Sequence, residues 1–414
     1  MSTDTAATDA TEPAVDVPEG ETPDPAAAAT RVAADFTRLY GRAPEGVWAA
    51  PGRVNLIGEY TDFNEGFVMP LALPHAAVAA VSRRTDGVLR LHSADVDGGV
   101  VQLRVDELSP LGDVGWAGYP AGVVWALREA GHEAVRLGAD VHLSSTVPTG
   151  AGLSSSAALE VVTALALNDL HALGLTRPEI ARIGQRAEND FVGVPSGIMD
   201  QTASACAVEG HAIHLDCRDL SLVQVPFDPA AEGLRLLVVD TQVKHALGDG
   251  AYAERRAGCE EGARRLGVTH LRDVPFDGLA DALDRLSAEA EEHVVRYVRH
   301  IVSDDHRVVR IAELLGAGDI RSIGPVLIEG HHSLRDDLRV SSPELDLVVS
   351  ASVAAGAVGA RMTGGGFGGS AIVLVDADAE DAVTKAVAEA FAEAGYGAPR
   401  VFPALPSAGA RRLG

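Results

Sequence analysis

Apolar positions divide the chain into strand-like and helix-like stretches. From Ala28, AATRVAADFTRLYG carries apolar residues at helical spacing and ends at Gly41, a helix stop. VWAAPGRVNLIG opens a strand region that turns over 59–66. AAVAAVSRR, VLRLHSAD and VVQLRVDEL follow as strands. A helix is predicted around Val123, Val124, Ala126 and Leu127. ADVHLSSTVP then reads as a strand, PTGAGLSSS as a loop and AALEVVTALALNDLHALG as a long apolar helix. A further helix is predicted over 177–191. AIHLDCRD and SLVQVPFD precede a stretch rich in Pro, Ala, Glu and Gly over 226–233. That stretch predicts a boundary between an N-terminal domain over 28–228 and a C-terminal domain over 229–414. The second half restarts with the strand LRLLVVDT and continues through charged helices to Asp346. A helix, LDLVVSASVAAGAVGA, leads into GGGFGG, and the strand SAIVLVDA and the helix AEDAVTKAVAEAFAEAG follow. Residues 1–27 show no periodicity and are expected to form a disordered tail.

Charge narrows the function classes. Of 414 residues, 34 are Lys or Arg and 59 are Asp or Glu, a formal net charge of −25. Such a field repels nucleic acid and anionic lipid, so neither is expected as a partner. Aromatics are only 4%, which leaves few stacking platforms for bases. An anionic substrate needs a local site: an Arg, a helix N-terminus or a bound cation. The lysines are Lys244 and Lys385 alone, which limits any lysine-dependent chemistry. Cys206, Cys217 and Cys259 form no CxxC pair, so disulfides and a thiolate zinc site are not expected. The N-terminus carries Asp4, Asp9, Glu12 and Asp16 without a basic region, unlike a secretory signal. The longest apolar stretch, 347–360, is too short to cross a bilayer. A cytoplasmic protein is expected.

Four segments carry candidate chemistry. Pro148, Thr149, Gly150, Ala151, Gly152, Leu153, Ser154, Ser155 and Ser156 lie between a predicted strand and a predicted helix. Glycines allow close backbone approach, the helix start offers unpaired N–H groups, and three hydroxyls add donors, so the segment has the parts of a phosphate cradle. It lacks the lysine of a Walker A loop. GGGFGG formally holds G-x-G-x-x-G, but with a helix before it and a strand after it, the reverse of a dinucleotide fingerprint. Its glycines are expected to press a loop against another element or a ligand. PGRVNLIGEYTDFNEG gathers an arginine, carboxylates, a phenol and an amide on one strand-turn, a set suited to vicinal hydroxyls. The segment from Glu188 through GVPSGIMDQ places Asp200 behind Ile198 and Met199, where partial desolvation would raise its basicity. No histidine pattern suggests a metal site.

Together these segments resemble the GHMP small-molecule kinases, over nearly the whole chain from about residue 30. GRVNLIGEYTDFNEGFVMPLALP resembles the family's sugar signature, PTGAGLSSSAALEV its phosphate motif and ENDFVGVPSGIMDQ its base-bearing segment. HHSLRDDLRVSSPELD, ARMTGGGFGGSAIVLV and PSAGARRL resemble its later motifs. The resemblance implies an α/β (α+β) fold of two domains, the second ferredoxin-like, with the active site in the cleft between them. It implies transfer of the γ-phosphoryl group of ATP to the anomeric hydroxyl of galactose, with Mg2+ as cofactor. Asp200 matches the base and Arg53 the arginine that stabilises it. Glu59, Tyr60, Thr61, Asp62, Gly197 and Tyr252 match the sugar site. Residues 148–156 match the ATP site. Ser156, with Ser155 as the alternative, and Glu188 match the magnesium ligands. One departure stands out: the signature usually reads Glu-His-Thr-Asp, and Tyr60 stands in place of the His. Related sugars (N-acetylgalactosamine, galacturonate, arabinose) and a non-catalytic sugar sensor are the alternatives; the intact phosphate motif with Asp200 and Arg53 argues against the sensor.

Overall fold

The computed structural model describes residues 23–112, 114–244 and 248–414. Residues 1–22, most of the expected tail, lie outside them. The first helix, Pro25–Tyr40, starts three residues before Ala28, so 25–27 are helical rather than tail. Asp24 caps it by accepting from the Ala26 N–H at 2.9 Å, and Pro25 presets the first turn.

Thirteen strands occur among the described residues: β1 (Gly46–Asn55), β2 (Phe67–Val68), β3 (Pro70–Arg83), β4 (Val88–Ser93), β5 (Val101–Arg104), β6 (Gly138–Ser145), β7 (His211–Asp216), β8 (Leu222–Pro226), β9 (Leu234–Lys244), β10 (Gly359–Thr363), β11 (Gly368–Asp376), β12 (Arg400–Pro403) and β13 (Arg411–Arg412). The first sheet has the order β13-β1-β3-β6-β4-β5, with β4 and β6 parallel. β13 pairs with β1, so the last residues of the chain return to the first sheet. A small sheet, β2-β7-β8, stands beside it. The antiparallel sheet β10-β11-β9-β12, with helices Pro343–Ala354 and Glu380–Ala394, has the ferredoxin-like strand order.

Strand β9 shows why its sequence lacks alternation. Leu234, Leu236 and Val238 join the core of the first half, while Leu237 and Val239 join that of the second. β11 divides likewise, Ile372 and Leu374 against Ala371, Val373 and Val375. A strand buried on both faces is apolar throughout.

Two elements differ from the sequence reading. The helix expected over 345–360 ends at Ala354, and Gly359–Thr363 is a strand, because Gly356 at φ 99 breaks the helix. GGGFGG is therefore the bend of a β10–β11 hairpin, still unlike the strand-to-helix turn of a dinucleotide site. The helix over 177–191 runs as α-helix over Arg177–Arg186 and as π-helix over Ala187–Val192.

Candidate active site

β1 delivers Arg53 and the short helix Met199–Cys206 delivers Asp200 in its first turn. Arg53 Nε and Nη2 reach Asp200 Oδ1 at 2.9 and 2.7 Å. The other oxygen, Oδ2, accepts from Ser154 Oγ at 2.5 Å. Arg53 Nη1 donates to the Gly152 carbonyl at 2.6 Å. A residue of the first sheet, the base candidate and the 148–156 loop are thus one hydrogen-bonded unit. The Asp200 carboxylate is 25% exposed, partly withdrawn from solvent, and its immediate partners are Arg53 and Ser154.

Glycines permit this convergence. A Cβ on Gly52 would lie 2.6 Å from the Leu153 carbonyl, which itself accepts from the Arg53 N–H. Gly364, at φ 81, brings the hairpin bend so close to the loop that a Cβ would lie 2.6 Å from the Gly152 carbonyl. The expectation that the GGGFGG glycines press a loop against another element holds, and the element is the 148–156 loop. Within that loop Ala151 and Leu153 are core residues, whereas Thr149 and Gly150 are exposed. Ser154 sits in the left-handed region at φ 62 and ψ 49, which costs about 1–2 kcal/mol for a residue with a Cβ.

The sugar-signature turn is held from the second half of the chain. Arg361 of β10, fully buried, donates to Glu59 Oε2 at 3.1 Å from both Nη1 and Nη2, and to the Leu56 carbonyl at 2.8 Å. Glu59 also accepts from Asn55 Nδ2 and, at 2.6 Å, from the Gly364 N–H. Burial pushes the Glu59 pKa up, and Arg361 opposes that. Burial, aided by the charge of Asp200, pushes the Asp62 carboxyl up to about 6. Asp62 lies so near Gly197 that a Cβ there would overlap its carboxylate.

Glu188 sits on the π-helix, whose wider turn brings Glu188 and Asn189 to one loop. Glu188 Oε2 accepts from Ser196 Oγ at 2.6 Å and from Gln201 Nε2 at 2.8 Å, and Ser156 also donates to Glu188. Burial and the Asp200 charge push its pKa up, as for a carboxylate without a counter-charge. Among the described residues no group of three or more His, Cys, Asp or Glu side chains could hold a metal ion. A cation here would take most of its oxygens from a ligand and from water.

A cavity of about 200 Å3 gathers Arg53, Glu59, Asp62, Glu188, Gly197, Asp200 and Tyr252, together with Tyr60. Thr61 departs from the expectation. It is fully buried, its hydroxyl lies 2.8 and 2.6 Å from the Gly58 and Phe67 carbonyls, and it shapes the turn rather than lining the cavity. Tyr60, at φ 68, spends its hydroxyl on the Gly365 carbonyl at 2.7 Å and packs its ring on Tyr252. It offers the cavity a ring face more than a donor.

A second cavity, about 430 Å3, meets the loop at Thr149, Ser155 and Ser156 and is walled by Trp116 and Tyr119. Neither aromatic was legible as a site residue, although a Trp and a Tyr three positions apart are conspicuous where aromatics are 4%. Arg361 was also missed. Its signal was a lone charge inside the five-residue strand GARMT.

Three family models match the chain: the galactokinase galactose-binding signature over 34–83, the GHMP kinases N terminal domain over 118–207 and the GHMP kinases C terminal region over 311–393. A galactokinase of Streptomyces coelicolor is 68% identical over 387 residues, covering 94% of this chain and 99% of the relative. A galactokinase of Mycobacterium tuberculosis is 41% identical over 363 residues, covering 88% and 98%. Among solved structures, Lactococcus lactis galactokinase complexed with galactose superposes with a TM-score of 0.88 at 32% identity, covering 92% of this chain and 99% of that one. Methanococcus jannaschii mevalonate kinase, at 18% identity and a TM-score of 0.61 over 87% and 98%, shares the fold.

Proposed function

We infer the reaction from one premise: the chain belongs to the GHMP kinase family and, within it, to the galactokinases. It is an ATP-dependent sugar kinase that moves the γ-phosphoryl group to the anomeric C1 hydroxyl of galactose, giving galactose 1-phosphate and ADP. The observation that carries the site assignment is the continuous contact from Arg53 through Asp200 to Ser154, which joins the wall of the first cavity to the loop bordering the second.

Galactose occupies the first cavity. Asp62 accepts from its hydroxyls, the Gly197 backbone lies beside it, and Tyr60 and Tyr252 present rings to its C–H face. Glu59, with its oxygens already engaged by Arg361, Asn55 and Gly364, acts mainly by fixing the turn. Asp200 takes the proton of the C1 hydroxyl as the oxygen attacks phosphorus. Arg53 holds that carboxylate and offsets the negative charge that develops beside it. Phosphoryl transfer has a loose transition state, so positioning and electrostatics supply most of the acceleration. The phosphates of ATP lie along the 148–156 loop, and its nucleoside lies in the second cavity against Trp116 and Tyr119.

Ser156 and Glu188 would hold Mg2+. Both offer hard oxygens, and the Glu188 contacts given above are all hydrogen bonds, so its charge is available to a cation. When bound, the ion neutralises phosphate charge within a strongly acidic protein. The domain boundary is placed at 228/229, in the stretch between β8 and β9. All three cysteines are free thiols, which suits a reducing cytoplasm. No helix among the described residues is long and apolar enough to cross a membrane.

An ADP-release assay across galactose, glucose, talose, N-acetylgalactosamine, galacturonate and arabinose tests the reading. Release with galactose is expected. Release with the other sugars but not galactose, or with none, overturns it.

A further inference from the structure

We propose that Ser154 is a positioning residue for the transfer: its hydroxyl, directed at Asp200 Oδ2, aims the base and locks it to the phosphate loop. The inference rests on the reading of Asp200 as the base.

Three consecutive serines here have two destinations. Ser155 and Ser156 line the second cavity with Thr149, on the nucleotide side. Ser154 turns the other way, and its Oγ lies 2.5 Å from Asp200 Oδ2. It stands at the N-cap of helix Ser155–His171, where a serine hydroxyl ordinarily accepts from an N–H of the first turn. Ser154 makes no such bond. The helix start is thereby left without its own side-chain cap, and its N–H groups stay available to a phosphate.

The backbone shows what this diversion requires. Ser154 adopts φ 62, a region in which a residue with a Cβ is strained and glycine is not. The strained conformation coincides with the contact that aims the hydroxyl at the base. Arg53 fills the other end of the same carboxylate, with Nε and Nη2 both on Oδ1. The carboxylate is therefore fixed at both oxygens: Arg53 takes both acceptor positions of Oδ1, and Oδ2, with Ser154 on one side, keeps a lone pair for a substrate hydroxyl. Arg53 Nη1 is in turn held by the Gly152 carbonyl, so the loop grips the base directly through Ser154 and indirectly through Arg53. Orientation of the base and geometry of the phosphate loop are one variable rather than two.

The test compares Ser154→Gly, Ser154→Ala, Asp200→Asn and the double variant Ser154→Gly/Asp200→Asn, all in the full chain. Glycine accepts the positive φ, so Ser154→Gly removes the hydroxyl without strain. The expected result for it is a kcat lower by about 10–100-fold, KM values for galactose and ATP within about three-fold of the parent, and an unchanged or higher Tm. Ser154→Ala is expected to lose the same kcat with a lower Tm. Asp200→Asn is expected to lose about 10²–10⁴-fold in kcat, and the double variant no more than Asp200→Asn alone. Parental kcat in Ser154→Gly, or an unchanged kcat with a raised KM for ATP, overturns the proposal and leaves Ser154 as structural or as a phosphate contact. If Asp200→Asn turns over normally, the reading of the base itself fails, a result distinct from the loss of the Ser154 role alone.

Discussion

The turn over 58–66, proposed for the sugar, and the loop over 148–156, proposed for the phosphates, flank the same candidate site and are held by opposite means. The turn is gripped by side chains from the second half of the chain. Arg361 pairs with Glu59, Asp304 Oδ2 accepts from the Gly58 N–H at 3.0 Å, and His300 Nε2 donates to the Glu59 carbonyl at 3.0 Å. Burial lowers the His300 pKa, so the ring is neutral and carries its proton on Nε2 toward that carbonyl. The loop is held through its own carbonyls instead, with Leu153 accepting from Arg53 and Ala151 from Ser370 Oγ at 2.8 Å. Ser154 and Ser156 spend their hydroxyls on Asp200 and Glu188, and the N–H groups at the start of helix Ser155–His171 are left without a side-chain cap. Selecting one sugar among stereoisomers calls for acceptors that do not move. Receiving a triphosphate calls for donors that are not already spent.

The sharpest break in this comparison comes from Arg361→Met. It leaves the Glu59 carboxylate buried without a counter-charge, and a loss of about 3–5 kcal/mol is expected in urea unfolding. Adding Glu59→Gln should restore part of it. Thr149→Ala, in the exposed part of the loop, is expected to change stability by less than about 0.5 kcal/mol. Similar small losses for Arg361→Met and Thr149→Ala would remove the contrast between turn and loop.

A pH series sharpens it at smaller amplitude. Burial holds the Asp62 carboxyl at about 6, above the ordinary aspartate range. Protonation below that pH removes a charged acceptor from the sugar side, whereas the 148–156 loop has no titratable side chain of its own. KM for galactose should rise several-fold between about pH 7.5 and about pH 5.5, with KM for ATP nearly flat. Asp62→Asn should flatten the galactose profile. Parallel rises in both KM values would place the effect elsewhere.

A further effect is expected at Asp305, whose Oδ1 accepts from the Phe67 N–H behind the turn and whose other oxygen is buried without a partner. Burial pushes its carboxyl up to about 7. A raised folded-state value means that the folded protein binds this proton more tightly than the unfolded chain. The stabilising share is therefore present at low pH and is lost as pH rises between about 4 and 7. Asp305→Asn should stabilise by roughly 1–2 kcal/mol at about pH 8 and by nothing at about pH 4, read from thermal unfolding. A gain of equal size at both pH values would show that charge is not the cause.

Particular residues mark how far the sequence carried. The cradle at 148–156, the arginine at 53 and the carboxylate at 200 were legible because glycine spacing, helix starts and motif order are local or serial properties. The end of the helix at Ala354 is not legible, since GAVGA is as apolar as the helix before it and only the partner strand β11 draws 359–363 into a sheet. Thr61 matches a sugar contact by its place in the motif, but the turn it sits in uses its hydroxyl internally. Trp116 and Tyr119 belong to no motif, and the cavity wall they share arises from folding beside residues some thirty or more positions away.

By itself the sequence determined the family, the order of the elements and the candidate groups of the reaction, because these depend on residue types and their serial spacing. The tertiary structure alone decided which of those groups share a hydrogen bond. Arg53 and Asp200 are 147 positions apart, and Glu59 and Arg361 are 302 apart. Contacts across such separations depend on how closely two surfaces pack, and glycines such as Gly52, Gly197 and Gly364 set that approach by what they lack.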